Sequence, residues 1–157
     1  MKLYTIGFTK KTAKRFFTLL KDNNVKRVID VRLGTTSQLA GFAKGEDLEY
    51  FCSIHGIAYV HFEELAPTKE LRVKYSDKKV KMTFEEYTKE FEEILEKRDV
   101  IKMISNYVMS GDCFLCSEEN SLECHRSIVL RKIKEFLRIF KAYLGQSTDV
   151  EVEIINL

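Results

Sequence analysis

The sequence predicts a single three-layer α/β domain over residues 1–157, with a mostly parallel sheet of about five strands and helices on both faces. In residues 1–31, two strand-like segments flank an amphipathic segment, which is the pattern of a right-handed βαβ unit. Strand-like and helix-like segments continue to alternate to the end of the chain. A chain of 157 residues, 45% apolar and 32% charged, is large enough to bury a stable core.

The first half of the chain predicts three strands and two helices. Strands are predicted over residues 3–7, 25–31 and 57–61. The helix after the first strand has Thr9 or Thr12 as its candidate N-cap. Its apolar residues recur at helical spacing and are Ala13, Phe16, Phe17 and Leu20. A shorter helix over residues 47–53 precedes the third strand.

The second half predicts a basic segment, three helices and two strands. Residues 66–82 carry six basic and two acidic side chains and have weak periodicity, which favours a short helix with a mobile loop. Thr83 and Glu86 form a capping box at the start of the next helix. The remaining elements are a helix over residues 100–109, a strand over 113–116, a helix over about 122–143 and an edge strand over 150–155.

Composition narrows the classes of protein that fit. No run approaches the roughly 18 apolar residues of a membrane span, and the N-terminus does not have the pattern of a signal peptide. We therefore expect a cytoplasmic protein whose four cysteines are reduced, with no membrane partner and no cofactor. The net charge of +2 does not by itself indicate a nucleic-acid partner, and oligomeric state is left open.

The most informative stretch is residues 112–127, where a short apolar strand ends, a polar loop follows and a helix begins. A strand end next to a helix start is where α/β proteins commonly place their chemistry. Cys124, His125 and Arg126 fall in the predicted first turns of that helix, where free N–H groups favour a thiolate or a bound anion. Cys124 is therefore a candidate nucleophile with His125 as acid or base. The alternative is that Cys124 packs as a small apolar residue.

The same stretch offers a zinc alternative through its ligands Cys113, Cys116, Cys124 and His125. On a strand, however, residues 113 and 116 face opposite sides of the sheet. No metal site is therefore predicted, and Cys113 and Cys116 are assigned to the core.

Other polar residues are predicted at the same edge of the sheet. Asp30 and Arg32 lie at the end of the second strand, either as an anion clamp with its orienting acid or as a structural ion pair. Ser37 lies in the hydroxyl-rich loop that follows, and Glu118 directly follows the fourth strand as an acid/base candidate. His61 also falls at a strand end.

Several motifs together resemble the domain of unknown function 488 family. They are Thr5-Ile6-Gly7, Asp30-Val31-Arg32, Ser37 with Phe42, Gly56-Ile57-x-Tyr59, Leu115-Cys116-Ser117-Glu118 and Cys124-His125-Arg126. The strings of residues 36–42 and 65–71 are similar to one branch of that family. The resemblance implies a single α/β domain and marks the same strand-end residues, but it implies no substrate. Cys113 is not part of the family pattern.

We expect an enzyme, a hydrolase or a transferase, that acts on an anionic, phosphate-bearing substrate such as a nucleotide or a nucleic-acid end. Arg32 and Arg126 would hold the anion, with Ser37 beside them and with Lys69 and Arg72 on a nearby loop. The catalytic candidates are Cys124, His125, Glu118 and Asp30. The alternatives are a nucleic-acid-binding module and a zinc-stabilised interaction domain. The former would use residues 66–82 and the basic stripe of Arg131, Lys134, Arg138 and Lys141.

Overall fold

A computed structural model describes residues 1–36, 40–145 and 149–155. In that part of the chain, five parallel strands form one sheet in the order β3-β2-β4-β1-β5. The strands are β1 (Lys2–Gly7), β2 (Arg27–Asp30), β3 (Ala58–His61), β4 (Asp112–Cys116) and β5 (Glu151–Ile155). The predicted α/β class and parallel sheet are confirmed.

Helices cover both faces of this sheet, which gives the three predicted layers. They are α1 (Ala13–Asp22), α2 (Gly45–Ile54), α3 (Lys69–Ser76), α4 (Phe84–Lys97), α5 (Val100–Tyr107) and α6 (His125–Tyr143). One core joins α1 and α2 to a face of the sheet through residues such as Phe16, Leu48 and Leu115. The other joins α4, α5 and α6 to the opposite face through residues such as Phe91 and Phe114.

Local signals in the sequence set several of the helix starts. The Thr12 hydroxyl accepts from Arg15 N–H at the start of α1. At the start of α4, Thr83 and Glu86 satisfy each other's backbone N–H groups, which completes the predicted capping box. The last helix starts three residues later than expected, because Cys124 is its N-cap with extended backbone.

The predicted basic segment, residues 66–82, contains α3, whose N-cap is Thr68. Lys69 and Arg72 therefore lie on a helix rather than on a loop. Among the described helices, none is both long enough and apolar enough to cross a membrane.

Candidate functional site

The connections between strands create a crevice at the carboxyl ends of β1 and β4. From β1 the chain crosses β4 to reach β2, whereas from β4 it crosses β1 to reach β5. The helices that follow these two strands, α1 and α6, pack on opposite faces of the sheet. Ligands of open α/β sheets bind at such a switch point.

Backbone contacts hold the two sides of this crevice close together. Thr9 N–H donates to the Ser117 carbonyl at 3.1 Å, and the Thr9 hydroxyl donates to the same oxygen. A Cβ built on Gly7 would lie 1.8 Å from the Glu118 carbonyl oxygen, so only glycine fits at this point. The loop after β4 therefore lies directly against the end of β1.

A cavity of about 880 Å³ opens at this edge of the sheet. Its walls come from the residues after β1, β2 and β4, from α3, and from the starts of α4 and α6. Arg32, Lys69, Arg72 and Glu118 are among its charged lining residues. Aromatic lining comes from Phe8, Tyr75 and Tyr87. The cavity is thus large enough for a nucleotide-sized molecule.

Cys116 and His125 form a pair on the cavity wall. Their Sγ and Nδ1 atoms are 3.7 Å apart. The His125 Nε2 atom lies 2.8 Å from the Val31 carbonyl oxygen, which can only accept, so Nε2 carries a hydrogen. Nδ1 is left to exchange a proton with the thiol. A thiol, an imidazole and a carbonyl that orients the imidazole are therefore linked in that order, which is the arrangement that nucleophilic catalysis by a thiol uses.

Cys124 is the third member of this cluster. Its Sγ atom is 3.9 Å from His125 Nδ1, and Arg126 Nη1 donates to it at 3.4 Å. The two sulfur atoms and the imidazole nitrogen all lie within 4.8 Å of one another. Cys124 also lines the cavity, so both thiols face one space.

The surroundings of the two thiols separate their pKa values. A hydrogen bond from the Cys124 thiol, the nearby imidazole of His125 and the Glu118 N–H hold the pKa of Cys116 well below its ordinary value, although burial opposes them. The Cys116 sulfur and burial together raise the pKa of Cys124. Burial disfavours the imidazolium, but the Cys116 thiolate and the Val31 carbonyl raise the pKa of His125. The surroundings of Cys116 therefore favour its thiolate, and those of Cys124 favour its thiol.

Arg126 lies in a different place from that expected of an anion ligand. It is fully buried, and its Nη1 and Nη2 atoms donate to the carbonyl oxygens of Glu118 and Glu119 at 2.6 and 3.2 Å. It does not line the described cavity. Its contacts instead hold the loop after β4 against the start of α6.

Asp30 and Arg32 form a buried ion pair at the end of β2. The Arg32 Nε atom donates to both carboxylate oxygens of Asp30, and the Tyr59 hydroxyl donates to Oδ2 at 2.9 Å. Asp30 is fully buried, whereas Arg32 reaches the cavity wall. The Arg32 Nη1 atom is buried and has no hydrogen-bond partner among the described residues.

The other expected site residues divide between the cavity and the rest of the molecule. Lys69, Arg72 and Glu118 line the cavity, and Ser37 lies outside the described residues. His61 contacts the Arg32 carbonyl oxygen through Nε2 at 2.7 Å. Cys113 packs in the core against α1 and α2, where burial raises its pKa.

Sequence reasoning placed Cys116 in the core, but its sulfur contacts the site. The available signal was its position as the last residue of a parallel strand, because side chains at that end of the sheet border the crevice. The aromatic lining at Phe8, Tyr75 and Tyr87 was also missed. Tyr87 stacks on Phe84 and Phe91 and contacts Tyr75 at a tilted angle, a pattern that the sequence alone cannot distinguish from core packing.

Cys116, Cys124 and His125 also have the spacing of metal ligands. Two sulfurs and one imidazole suit Zn²⁺, and the backbone carbonyl on the second imidazole nitrogen is a common orienting contact of zinc-bound histidine. The fourth position of such a site would open into the cavity. Three ligands with an open position are typical of catalytic rather than structural zinc sites.

The basic stripe of α6 is partly neutralised by acidic residues of α4. Arg131 pairs with Glu92 at 2.8 Å, and the adjacent Lys132 pairs with Glu96 at 3.6 Å. Lys134 and Arg138 are exposed.

Comparison with known proteins gives a family for the chain. No curated protein and no solved structure matches it. The model of the family described as "Domain of unknown function DUF488" matches residues 12–133, which include Asp30, Arg32 and the segment from Cys116 to Arg126. The site described above falls largely within that match, and the chain belongs to the DUF488 family.

Proposed function

We propose that this protein is a cysteine-dependent hydrolase or transferase that acts on an anionic, phosphate-bearing substrate, with Cys116 as its nucleophile. The observation that carries the proposal is the position of the Cys116–His125 pair on the wall of a cavity that also contains Arg32, Lys69 and Arg72. A nucleophile with its base and a group of cations are the parts that such a reaction needs.

The cations divide the task of holding the substrate. Arg32 is held at the cavity wall by Asp30, and a phosphate oxygen that reached its buried, unpartnered Nη1 atom would supply the hydrogen-bond acceptor that this atom lacks among the described residues. Lys69 and Arg72 are exposed on α3 and adapt to the outer part of the substrate. Arg126, which we expected to bind the anion, instead holds the loop that carries Glu118. A nucleotide or a nucleic-acid end fits the cavity volume and the aromatic lining.

The chemistry follows from the contacts of His125. The Cys116 thiolate attacks the phosphorus atom, the bond to the leaving oxygen breaks, and the His125 Nδ1–H protonates that oxygen. In the second step, neutral His125 takes a proton from water or from an acceptor hydroxyl, whose oxygen attacks the phosphorus. The S–P bond breaks and the thiolate is restored. Water as the attacking group gives a hydrolase, and a substrate hydroxyl gives a transferase.

The proposal is tested with a panel of nucleotides and phosphorylated oligonucleotide ends. We expect phosphate release or transfer by the wild-type protein, and a phosphorus-containing adduct on Cys116 after acid quenching and mass spectrometry. Cys116→Ser should abolish the adduct, whereas Cys113→Ala, a buried cysteine on the other face, should retain it. Turnover that persists in Cys116→Ala would refute the assignment of the nucleophile.

A second candidate is hydrolysis by zinc-activated water at the same cavity, which is favoured by the three grouped ligand atoms. It would leave Cys116 as a ligand rather than a nucleophile. Elemental analysis distinguishes the two, because this candidate requires one zinc per chain and loss of activity on chelation. The thiol mechanism requires full activity in chelator.

We also propose that the protein works in a reducing compartment such as the cytoplasm. All four cysteines are free thiols, and the nucleophile assigned above must stay reduced to react. Fractionation of cells that express a tagged chain tests this location.

A further inference from the structure

We infer that Cys116 is a site of reversible oxidation by hydroperoxides and that Cys124 captures the oxidised sulfur as a disulfide. This inference rests on the assignment of Cys116 as the reactive thiol in the proposed function. It gives a role to Cys124, which the group-transfer mechanism does not use. The chemical class of the oxidant is a hydroperoxide, either H₂O₂ or a small organic one.

The two sulfur atoms are placed for this reaction. They lie within 4.8 Å of each other beside the same imidazole nitrogen. Neither residue lies inside a helix, because Cys116 ends β4 and Cys124 is the extended N-cap of α6. Rotation of the two side chains with a shift of the irregular loop between them can therefore close the remaining gap without unwinding α6.

Access also separates this pair from the other cysteines. Cys116 and Cys124 line the cavity, so a small oxidant reaches them through the opening that admits the substrate. Cys52 and Cys113 are buried in the core between the sheet, α1 and α2. The chain thus contains its own unreactive thiols for comparison.

The reaction balances with the groups present. The Cys116 thiolate attacks one oxygen of H₂O₂, the O–O bond breaks, and the departing hydroxide takes the His125 Nδ1 proton and leaves as water. Cys116 is then a sulfenic acid. The Cys124 sulfur attacks it, giving up its proton to the departing hydroxyl group, so a second water leaves and a disulfide remains. Two electrons pass from the thiol pair to one hydroperoxide.

The disulfide switches off the proposed enzyme, because it consumes the nucleophile and removes the sulfur that faces His125. A thiol reductant reverses it. Arg126, which donates to Cys124 Sγ and to the carbonyl of Glu118, links the second sulfur to the loop that must move.

The test uses the reduced full-length protein treated with one equivalent of H₂O₂ without substrate. We expect two of the four thiols to disappear and a reductant to restore them. Glutamyl endoproteinase, which cleaves after Glu118 or Glu119, separates Cys116 from Cys124. Mass spectrometry of the unreduced digest should then find the two peptides linked, and fragmentation should place the link at Cys116.

Two matched variants complete the test. Cys124→Ser should still oxidise at Cys116 but stop at sulfenic and then sulfinic acid, whereas Cys113→Ala should form the disulfide as the wild type does. Oxidation of Cys52 or Cys113 at the same rate as Cys116 overturns the inference. So does a wild-type protein whose Cys116 reaches sulfinic acid with no link to Cys124.

Formation of the disulfide between Cys116 and Cys124 is tested without substrate and does not depend on which substrate the protein uses. If the disulfide forms but no phosphorylated compound is turned over, the substrate class of the proposed function fails and the oxidation site stands. If turnover and the Cys116 adduct are found but no disulfide forms, only the present inference fails.

Discussion

A Cβ on Gly7 would lie 1.8 Å from the Glu118 carbonyl oxygen, which is the same oxygen that accepts from Arg126 Nη1. The end of β1 and the loop after β4 thus share one buried contact. Gly7→Ala should destabilise the protein by about 1–3 kcal/mol, because the clash is with backbone and cannot be relieved by a side-chain rotation. Denaturant unfolding measures the loss. Gly34→Ala is the control, since nothing lies within 4 Å of its added carbon, and an equal loss in both variants would contradict the prediction.

The depressed pKa of Cys116 predicts its reactivity with pH. As the pH rises, its alkylation rate should reach a plateau before about pH 8.5, the ordinary pKa of a free thiol. His125→Gln removes the imidazolium, which should raise the pKa of Cys116 and slow alkylation at pH 7. Rates measured with iodoacetamide and peptide mapping over pH 5–10 check this. An unchanged profile in His125→Gln would show that the imidazole does not stabilise the thiolate.

The same pKa shift predicts a stability change with a definite sign. The folded state favours the Cys116 thiolate, and this preference stabilises the protein. The stabilisation is complete above the unfolded-state pKa of about 8.5 and is lost as the pH falls through the lower pKa of the folded state. The difference in unfolding free energy between the wild type and Cys116→Ser should therefore grow as the pH rises to about 8.5. Unfolding curves at several pH values measure it. A difference that shrinks over this range contradicts the shift.

The buried ion pair of Asp30 and Arg32 predicts a large loss of stability when the carboxylate is replaced by an amide. Asp30→Asn leaves the Arg32 guanidinium buried without its counter-charge and should lower the unfolding free energy by about 3–5 kcal/mol. Tyr59→Phe removes one hydrogen bond to the same carboxylate and should lower it by about 1 kcal/mol. Glu85→Gln breaks an exposed pair with Lys89 and should leave the unfolding free energy nearly unchanged. Similar effects from all three would contradict the buried character of the pair.

Substitutions of Arg126 and Arg72 should distinguish a residue that stabilises the fold from one that binds the anion. Arg126→Met leaves two partly buried carbonyl oxygens without their donor and should lower the unfolding free energy by about 1–3 kcal/mol. Arg72→Met, on the exposed side of α3, should change stability by no more than about 0.5 kcal/mol and instead weaken the binding of inorganic pyrophosphate. Calorimetry of unfolding and of binding measures both. Weakened binding in a fully stable Arg126→Met would restore Arg126 as an anion ligand.

The sequence was sufficient for the elements of the fold because periodicity and caps act locally. Thr12 and the pair of Thr83 and Glu86 start their helices as predicted. The same local reasoning placed Asp30, Arg32 and Glu118 near one edge of the sheet. Local reasoning could not assign different roles to Cys116 and Cys124, because the ionisation of each thiol depends on contacts between segments that are distant in the sequence. Cys116 meets His125 only because α6 starts at residue 125, and Arg126 is buried only because the loop after β4 folds over it.

The order of the strands has a consequence for how the chain folds during its synthesis. Strand β4 lies between β1 and β2 and pairs with both, although Cys113 follows its partner Tyr4 by 109 residues and its partner Val28 by 85 residues. A nascent chain that ends before Asp112 therefore has β1 and β2 without the strand that lies between them. The sheet forms late, because this strand makes long-range contacts. Cys116 ends that central strand. The thiol proposed as the nucleophile therefore takes its place only when this central strand pairs, so a chain that ends before Asp112 lacks both the middle of the sheet and that thiol.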